Sequence, residues 1–254
     1  MSDLKLLPDG RAMLNLGCGS RFHPCWNNID FSPLARLHRH RFISAMLWRA
    51  GLLSEDRWRR LQLIDGDIIV HDLRGGIPFA DGTVDVVYHS HLLEHIDRAE
   101  APRFLHECYR VLKNTGILRI VVPDLEFLAA QYIASVQGMA TAPSGQWEER
   151  HSQAIDELFE QMVRREPAGL RYQRRVARTA ELLLRGSAAQ AGELHRWMYD
   201  RFSLRELLRS VGFHAVVQQS HAASLIHDWK LFNLDTDEDG TVYKPGSLYM
   251  EAQK

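Results

Sequence analysis

Long apolar runs are missing from this 254-residue chain, and no stretch approaches the roughly 20 residues of a membrane-spanning helix. Cysteine is scarce. Cys18, Cys25 and Cys108 are an odd number without framework spacing, which argues against a disulfide scaffold and for a reducing, cytoplasmic setting. Net charge is close to absent, at −1, so no global field draws the chain to nucleic acid or to a membrane surface. The opening MSDLKLLPDG lacks the charged start and long apolar core of a signal peptide. Internal repeats and low-complexity tracts are missing as well. What remains is an ordinary globular composition, 45% hydrophobic and 25% charged, in a chain long enough for one large domain. Histidine is the exception: there are thirteen, several of them clustered.

Strand and helix signals alternate through the first half. Ala12 to Leu16 and Asn27 to Phe31 read as short buried strands, and Asp67 to His71 as a third that ends at Asp72. VDVVYHS is a fourth and ILRIVVPD a fifth. Between the second and third, Ser32-Pro33 signals a helix start, and a helical region follows to about Leu61. HLLEHI is read as the beginning of a helix that continues from Arg98 to Leu112, with apolar residues at helical spacing. Such alternation implies an α/β fold, a mainly parallel sheet with helices on both faces. In such sheets ligands sit outside the carboxyl ends of the strands, where Gly17, Asp30, Asp72, His89 and Asp124 fall. From Asp124 to about Asp200 the chain is helical and polar, with a loop expected from Gly138 to Gly145. SLRELLRSVGF is a further helix, read with Ser203 as N-cap and Glu206 completing a capping box. HAVVQQS and SLYMEAQK are expected to form an antiparallel hairpin at the sheet edge.

MLNLGCGS, residues 13 to 20, runs a buried strand straight into two glycines. Glycine lets backbone approach a ligand closely, and an acid on the next strand, Asp30, can accept both hydroxyls of a ribose. A dinucleotide fingerprint is excluded: Phe22 stands where its third glycine belongs, and Asp30 comes too early for an intervening helix. A P-loop fails for want of Gly-Lys-Ser/Thr. A nucleoside ligand without phosphates fits better.

LNLGCGS, NNID, HDLRGGIPFADGTVDVVYHSHLLEHI, RVLKNTGILRIVVPD and RFSLRELLRSVGF together resemble, in order, the motifs of class I S-adenosylmethionine-dependent methyltransferases. WNNID and HRWMYD are similar to stretches in predicted bacterial methyltransferases linked to surface-glycan biosynthesis. The resemblance implies a Rossmann-like, mainly parallel seven-stranded sheet with an antiparallel last strand and helical insertions at 34–61 and 124–200. The latter would be a lid over the acceptor; the former would be a second lid or a dimer surface. S-adenosylmethionine is the implied cofactor, and a small molecule or glycan precursor the implied substrate. By position, Asn15, Gly17, Cys18 and Gly19 would line the cofactor's methionine part. Asp30 would hold the ribose, Asp72 and Leu73 would flank the adenine, and His89 and Ser90 would face the reactive end. Asn15 and Arg21 depart from the acid and the third glycine usual in the first motif.

For a base near neutral pH, histidine is the natural choice. His91 comes first, with His89 and Asp124 next. His195, Trp197, Tyr199 and Asp200 could bind a sugar through aromatic faces and hydrogen-bonding groups. Two rival readings stand beside methyl transfer. HLLEH is an H-x-x-E-H pattern that on a helix would set His91 and His95 on one zinc ion with Glu94 as base, Glu157 or Glu166 being third ligands. The other rival is a non-catalytic cofactor binder. Cys18, His23 and Cys25 are too few and too irregular for a metal site, and RRVARTAELLLR reads as a solvated helix face.

Overall fold

A computed structural model describes residues 4–64, 66–141, 144–162 and 194–254. Seven strands form one sheet in the order β3-β2-β1-β4-β5-β7-β6. These are β1 (Met13–Leu16), β2 (Asn27–Asp30), β3 (Ile68–Val70), β4 (Val84–Ser90), β5 (Leu112–Pro123), β6 (His214–Gln219) and β7 (Ser247–Gln253). The first five pair in parallel, and β7 runs antiparallel between β5 and β6. This is the Rossmann-like, mainly parallel arrangement expected from the sequence, with its reversal between β1 and β4, where the strand order changes direction. The last two strands pair antiparallel at the sheet edge, as expected, through a long connection. Residues 220–246 run between them, and β7 inserts beside β5, leaving β6 outermost.

The two sheet faces are covered differently. On one, α4 (Ala101–Val111) and the helix Arg201–Val211 bury Phe104, Leu105, Cys108, Leu204 and Leu208 against Leu14, Leu16, Val87, Leu118 and Ile120. The other lacks a helix between β1 and β2, because only ten residues separate those strands. Its cover is aromatic: Trp26 packs edge-on to Tyr88, Trp229 and Phe232, the last two from segment 220–246. Over β1 and β4 on this side, the described cover is thus an aromatic cluster that includes the short 3₁₀ turn Trp229–Phe232. Buried within it, Arg119 reaches Asp235 and Glu251 at 2.7 and 2.6 Å.

Between β2 and β3 lie α1 (Pro33–Arg39), α2 (Arg41–Arg49) and α3 (Glu55–Leu63). Ser32 caps α1 as expected, its side chain accepting from Ala35 N. Phe42, Ile43 and Met46 stay exposed on α2. After β5 come α5 (Leu125–Thr141) and α6 (Gly145–Met162). The helix α5 runs through Gly138, where a loop was expected. The Trp147 ring lies against Gly138, 2.3 Å from where a Cβ would stand, so glycine here permits helix packing rather than a turn. The helix Arg201–Val211, hereafter α7, is capped by Asp200 and not by Ser203. Asp200 accepts from Phe202 N and Ser203 N, and Ser203 sits at the third helical position, so the capping box is shifted by one turn. Glu166 and RRVARTAELLLR lie outside the described residues. Among the described residues, no helix is long and apolar enough to cross a membrane.

Candidate active site

The carboxyl ends of β1, β2, β4 and β5 converge on the glycine bend. Gly17 and Gly19 have φ of +65° and +54°, the left-handed region where L side chains are strained. Gly17 N and Cys18 N both donate to Ile29 O, which ties the bend to β2. Gly19 N donates to Asp30 Oδ2 at 2.7 Å, and Ser32 N to Asp30 Oδ1. Asp30 is 6% exposed, so its carboxylate faces the bend and has lone pairs left over. A Cβ on Gly19 would meet nothing within 4 Å, so open space lies over the bend. That space and the Asp30 carboxylate beside it fit a nucleoside's ribose.

At Gly17 the situation is tighter. A Cβ there would come within 3.0 Å of Leu92. Gly17→Ala should therefore destabilise the fold by roughly 1–3 kcal/mol through the positive φ alone, measured as a lower urea midpoint. A variant as stable as the parent would show that the bend relaxes.

Asn15 is used up structurally. Its side-chain amide donates to Arg21 O at 2.9 Å and to Asn28 Oδ1 at 3.1 Å, closing the bend on itself. It stands behind the bend, not in position to receive a cofactor's amino group. Asp72 is bound in both oxygens by Arg74 (Nη2 to Oδ2 at 2.7 Å), which holds its carboxyl below the usual range. An adenine amine there would share the carboxylate with that guanidinium. Leu73 opens a short 3₁₀ turn after it. Cys18 is buried, and burial with the Asp30 charge pushes its thiol well up, so it is an inert small residue.

The fourth strand ends differently from the expected helix. His91 N bonds to Val121 O, prolonging the sheet, and His91 takes φ +50°. A single 3₁₀ turn, Leu93–His95, follows, and α4 waits until Ala101. His91 and His95 thus do not sit one helical turn apart, and the zinc geometry read from HLLEH does not form. Instead His91 Nε2 meets Ser247 Oγ at 2.9 Å, and its Nδ1 lies 3.2 Å from Glu94 Oε1. His89 points the other way. It is fully buried, edge-on to Phe104 at 5.4 Å, and burial lowers its pKa to about 4. As a neutral imidazole under α4, it neither lines the cofactor's reactive end nor serves as base. The alternation of β4 decides this, since His89 shares Val87's face and Ser90 shares that of Tyr88.

Asp124 caps α5, accepting from Glu126 N at 2.9 Å, and burial raises its pKa. Its backbone pairs with Tyr199, which brings the 195–200 stretch alongside. Within that stretch the expected sugar-binding set divides. Asp200 is committed to capping α7. Tyr199 is buried in the core, and burial pushes its hydroxyl up to about 12. Trp197 is 37% exposed, with the Arg98 guanidinium 4.1 Å over its ring. His195 is buried against His95, with the ring centres 4.7 Å apart. Glu94, whose main chain accepts from Arg196 N and Trp197 N, was missed as a site residue outside the zinc reading.

Residues 14–120 match the family model described as a methyltransferase domain. No curated protein matches the chain. Among solved structures, the chain is similar to an S-adenosylmethionine-dependent methyltransferase from Archaeoglobus fulgidus. That match is 13% identical, covers 96% of this chain and 86% of the other, and has a TM-score of 0.43. It is similar also to 1,6-didemethyltoxoflavin-N1-methyltransferase from Burkholderia thailandensis, solved with S-adenosylhomocysteine, at 14% identity, 96% and 72% coverage and a TM-score of 0.41. Likenesses this distant add nothing to the family match. Residues 14–120 thus match a methyltransferase domain, and they lie within a seven-stranded, mainly parallel sheet of the Rossmann-like order expected from the sequence.

Proposed function

We propose that the protein moves a methyl group from S-adenosylmethionine to an oxygen or nitrogen of a small molecule or glycan precursor. The observation that carries this is the Asp30 carboxylate, buried and turned to the glycine bend beside open space. The cofactor supplies an electrophilic methyl carbon on a sulfonium, so the protein's task is chiefly to orient an acceptor and exclude water. Gly17 and Gly19 let the cofactor lie against backbone, and Asp30 accepts its ribose hydroxyls. Asp72 and Leu73 border the adenine, and Ser90 ends the strand beneath the reactive end.

Where the acceptor is not itself bound to a metal ion, His91 takes the acceptor's proton. It is held between Ser247 and Glu94, and a carboxylate beside an imidazole stabilises the imidazolium that forms. Asp124, at the end of the neighbouring strand, is the alternative base. Trp197, partly exposed and with Arg98 over its ring, is the aromatic group of this stretch able to stack on a sugar. Of the expected lid, α5, α6 and residues 194–200 cover the acceptor, the remainder of 124–200 lying partly outside the described residues, and residues 34–61 form either a second cover or a surface between two copies. The fold's charge balance and reduced cysteines suit a cytoplasmic enzyme.

The test is transfer of a labelled methyl group from S-adenosylmethionine into a cell lysate or a panel of glycan precursors. Label should enter an acceptor with the parent protein and not with Asp30→Ala. Cofactor binding without transfer to any acceptor would instead favour a non-catalytic binder.

A further inference from the structure

Glu94 is an unusual group for a protein interior. It is 0% exposed, and neither carboxylate oxygen has a hydrogen-bond partner of normal geometry among the described residues. His91 Nδ1 lies 3.2 Å from its Oε1. A buried carboxylate ordinarily accepts several hydrogen bonds or coordinates a metal.

Two imidazoles stand beside it. His95 Nδ1 donates to Leu194 O at 3.1 Å, and His195 Nδ1 donates to Gln161 O at 2.6 Å. A carbonyl can only accept, so Nδ1 of each ring carries a proton, and in the neutral ring the lone pair able to bind a metal is then on Nε2. This is the same outer arrangement that orients metal-bound histidines. The ligand atoms of Glu94, His95 and His195 all lie within 4.8 Å of one another. An ion with bonds of about 2.1 Å would draw them to roughly 3.4 Å by side-chain rotation. Of the described residues, these form the one cluster of metal-ligand type. The chain also locks it together. Arg196 N and Trp197 N donate to Glu94 O, fastening the segment that carries His195 to the turn that carries Glu94 and His95.

We propose that Glu94, His95 and His195 bind a divalent transition metal such as Zn²⁺ or Mn²⁺. Three protein ligands leave at least one position open, as in catalytic rather than structural sites. Two imidazoles and a carboxylate suit this class of ion better than Mg²⁺ or Ca²⁺, which prefer all-oxygen sets. The site lies just beyond the end of β4. Resting on the methyltransferase reading, the open position takes a hydroxyl oxygen of the acceptor. The metal lowers that hydroxyl's pKa, its proton passes to solvent, and the oxygen bonds the methyl carbon while the sulfur keeps the S–CH₃ electron pair as a thioether. With the ion bound, His91 is not needed as base and holds Glu94 in place through their 3.2 Å contact.

The experiment uses tag-free protein, stripped with chelator and titrated with Co²⁺. Visible ligand-field absorption should appear at one equivalent, and Zn²⁺ should remove it. Glu94→Gln and His195→Ala should each weaken Co²⁺ binding at least about 100-fold, while His106→Ala, an exposed histidine of α4, should leave it unchanged. Azide should shift the bands by entering the open position. Equal Co²⁺ binding by the parent and both site variants, or none by the parent, would overturn the metal site. Bands untouched by azide would overturn the acceptor role. Calorimetry with S-adenosylhomocysteine on the same samples separates the two readings. Cofactor binding without metal sinks only this inference, and metal without cofactor sinks only the methyltransferase reading. Unchanged thermal melts and cofactor binding in Glu94→Gln and His195→Ala show that metal loss is not unfolding.

Discussion

Asp30→Ala should lose S-adenosylhomocysteine binding by roughly 10²- to 10⁴-fold in calorimetry. The estimate follows from two hydroxyl hydrogen bonds to a charged acceptor, each worth about 1.5–3 kcal/mol. The carboxylate is well placed for this. Gly19 N and Ser32 N fix its plane, so little side-chain freedom is lost when a ribose arrives. The same contacts mean that the substitution also loosens the bend, and a second variant isolates the binding term. Asp30→Asn keeps the size and can keep one accepting oxygen, yet it lacks the charge and offers a donor where two hydroxyls donate. It should bind at least about tenfold more weakly than the parent, on the lower bound of one such hydrogen bond. Parent-like affinity in both variants would mean the ribose lies elsewhere, and the site proposed at the bend would be wrong.

Arg119→Met should destabilise the protein by about 3–5 kcal/mol, the cost of leaving buried charge without its partner. Arg119 is fully buried mid-strand in β5. Its guanidinium donates to Asp235 Oδ2 at 2.8 Å, Glu251 Oε1 at 2.6 Å, Ala223 O at 3.0 Å and Ser220 O at 2.8 Å. Tyr88 adds its hydroxyl to Asp235 at 2.6 Å. One cation thus holds two carboxylates and the segment that covers the second sheet face, with Trp229 stacked 4.4 Å from its carbon. Removing it strands both carboxylates. Burial already pushes the Asp235 carboxyl upward against the pull of Arg119, so the loss of the cation would drive it toward the protonated form. Arg119→Lys should recover only part of the loss, because an ammonium cannot reach all four acceptors with a planar fork. At this chain length the shift in melting temperature is roughly 10 °C. Unfolding free energies from urea titration within about 1 kcal/mol of the parent would show that the network contributes no net stability.

Neither the cation nor its partners could be anticipated from ILRIVVPD, where a lone arginine in an apolar strand looks like an outward-facing residue. Its partners come from 116 and 132 residues away. The helix ends show the same limit at shorter range. Ser203 and Asp200 both have capping chemistry, and the strand pairing of Tyr199 with Asp124 sets where the helix begins. HLLEH carries helix-forming residues, yet His91 N is claimed by Val121 O across the sheet, and the backbone turns at φ +50° instead. In each case a distant backbone partner outbid a local preference.

What the sequence settled alone is what short-range pattern can carry. Alternating strand and helix periods specify a mainly parallel sheet, and a buried strand running into Gly17 and Gly19 with Asp30 on the next strand marks where a ligand can approach. These depend on backbone conformation and side-chain alternation within a few residues. The tertiary structure alone decided that His89 faces the core, that Asp200 serves a helix, and that Glu94 and His95 meet His195. The reason is geometric: residues a hundred positions apart become neighbours through the path of the chain, and no local pattern records that path.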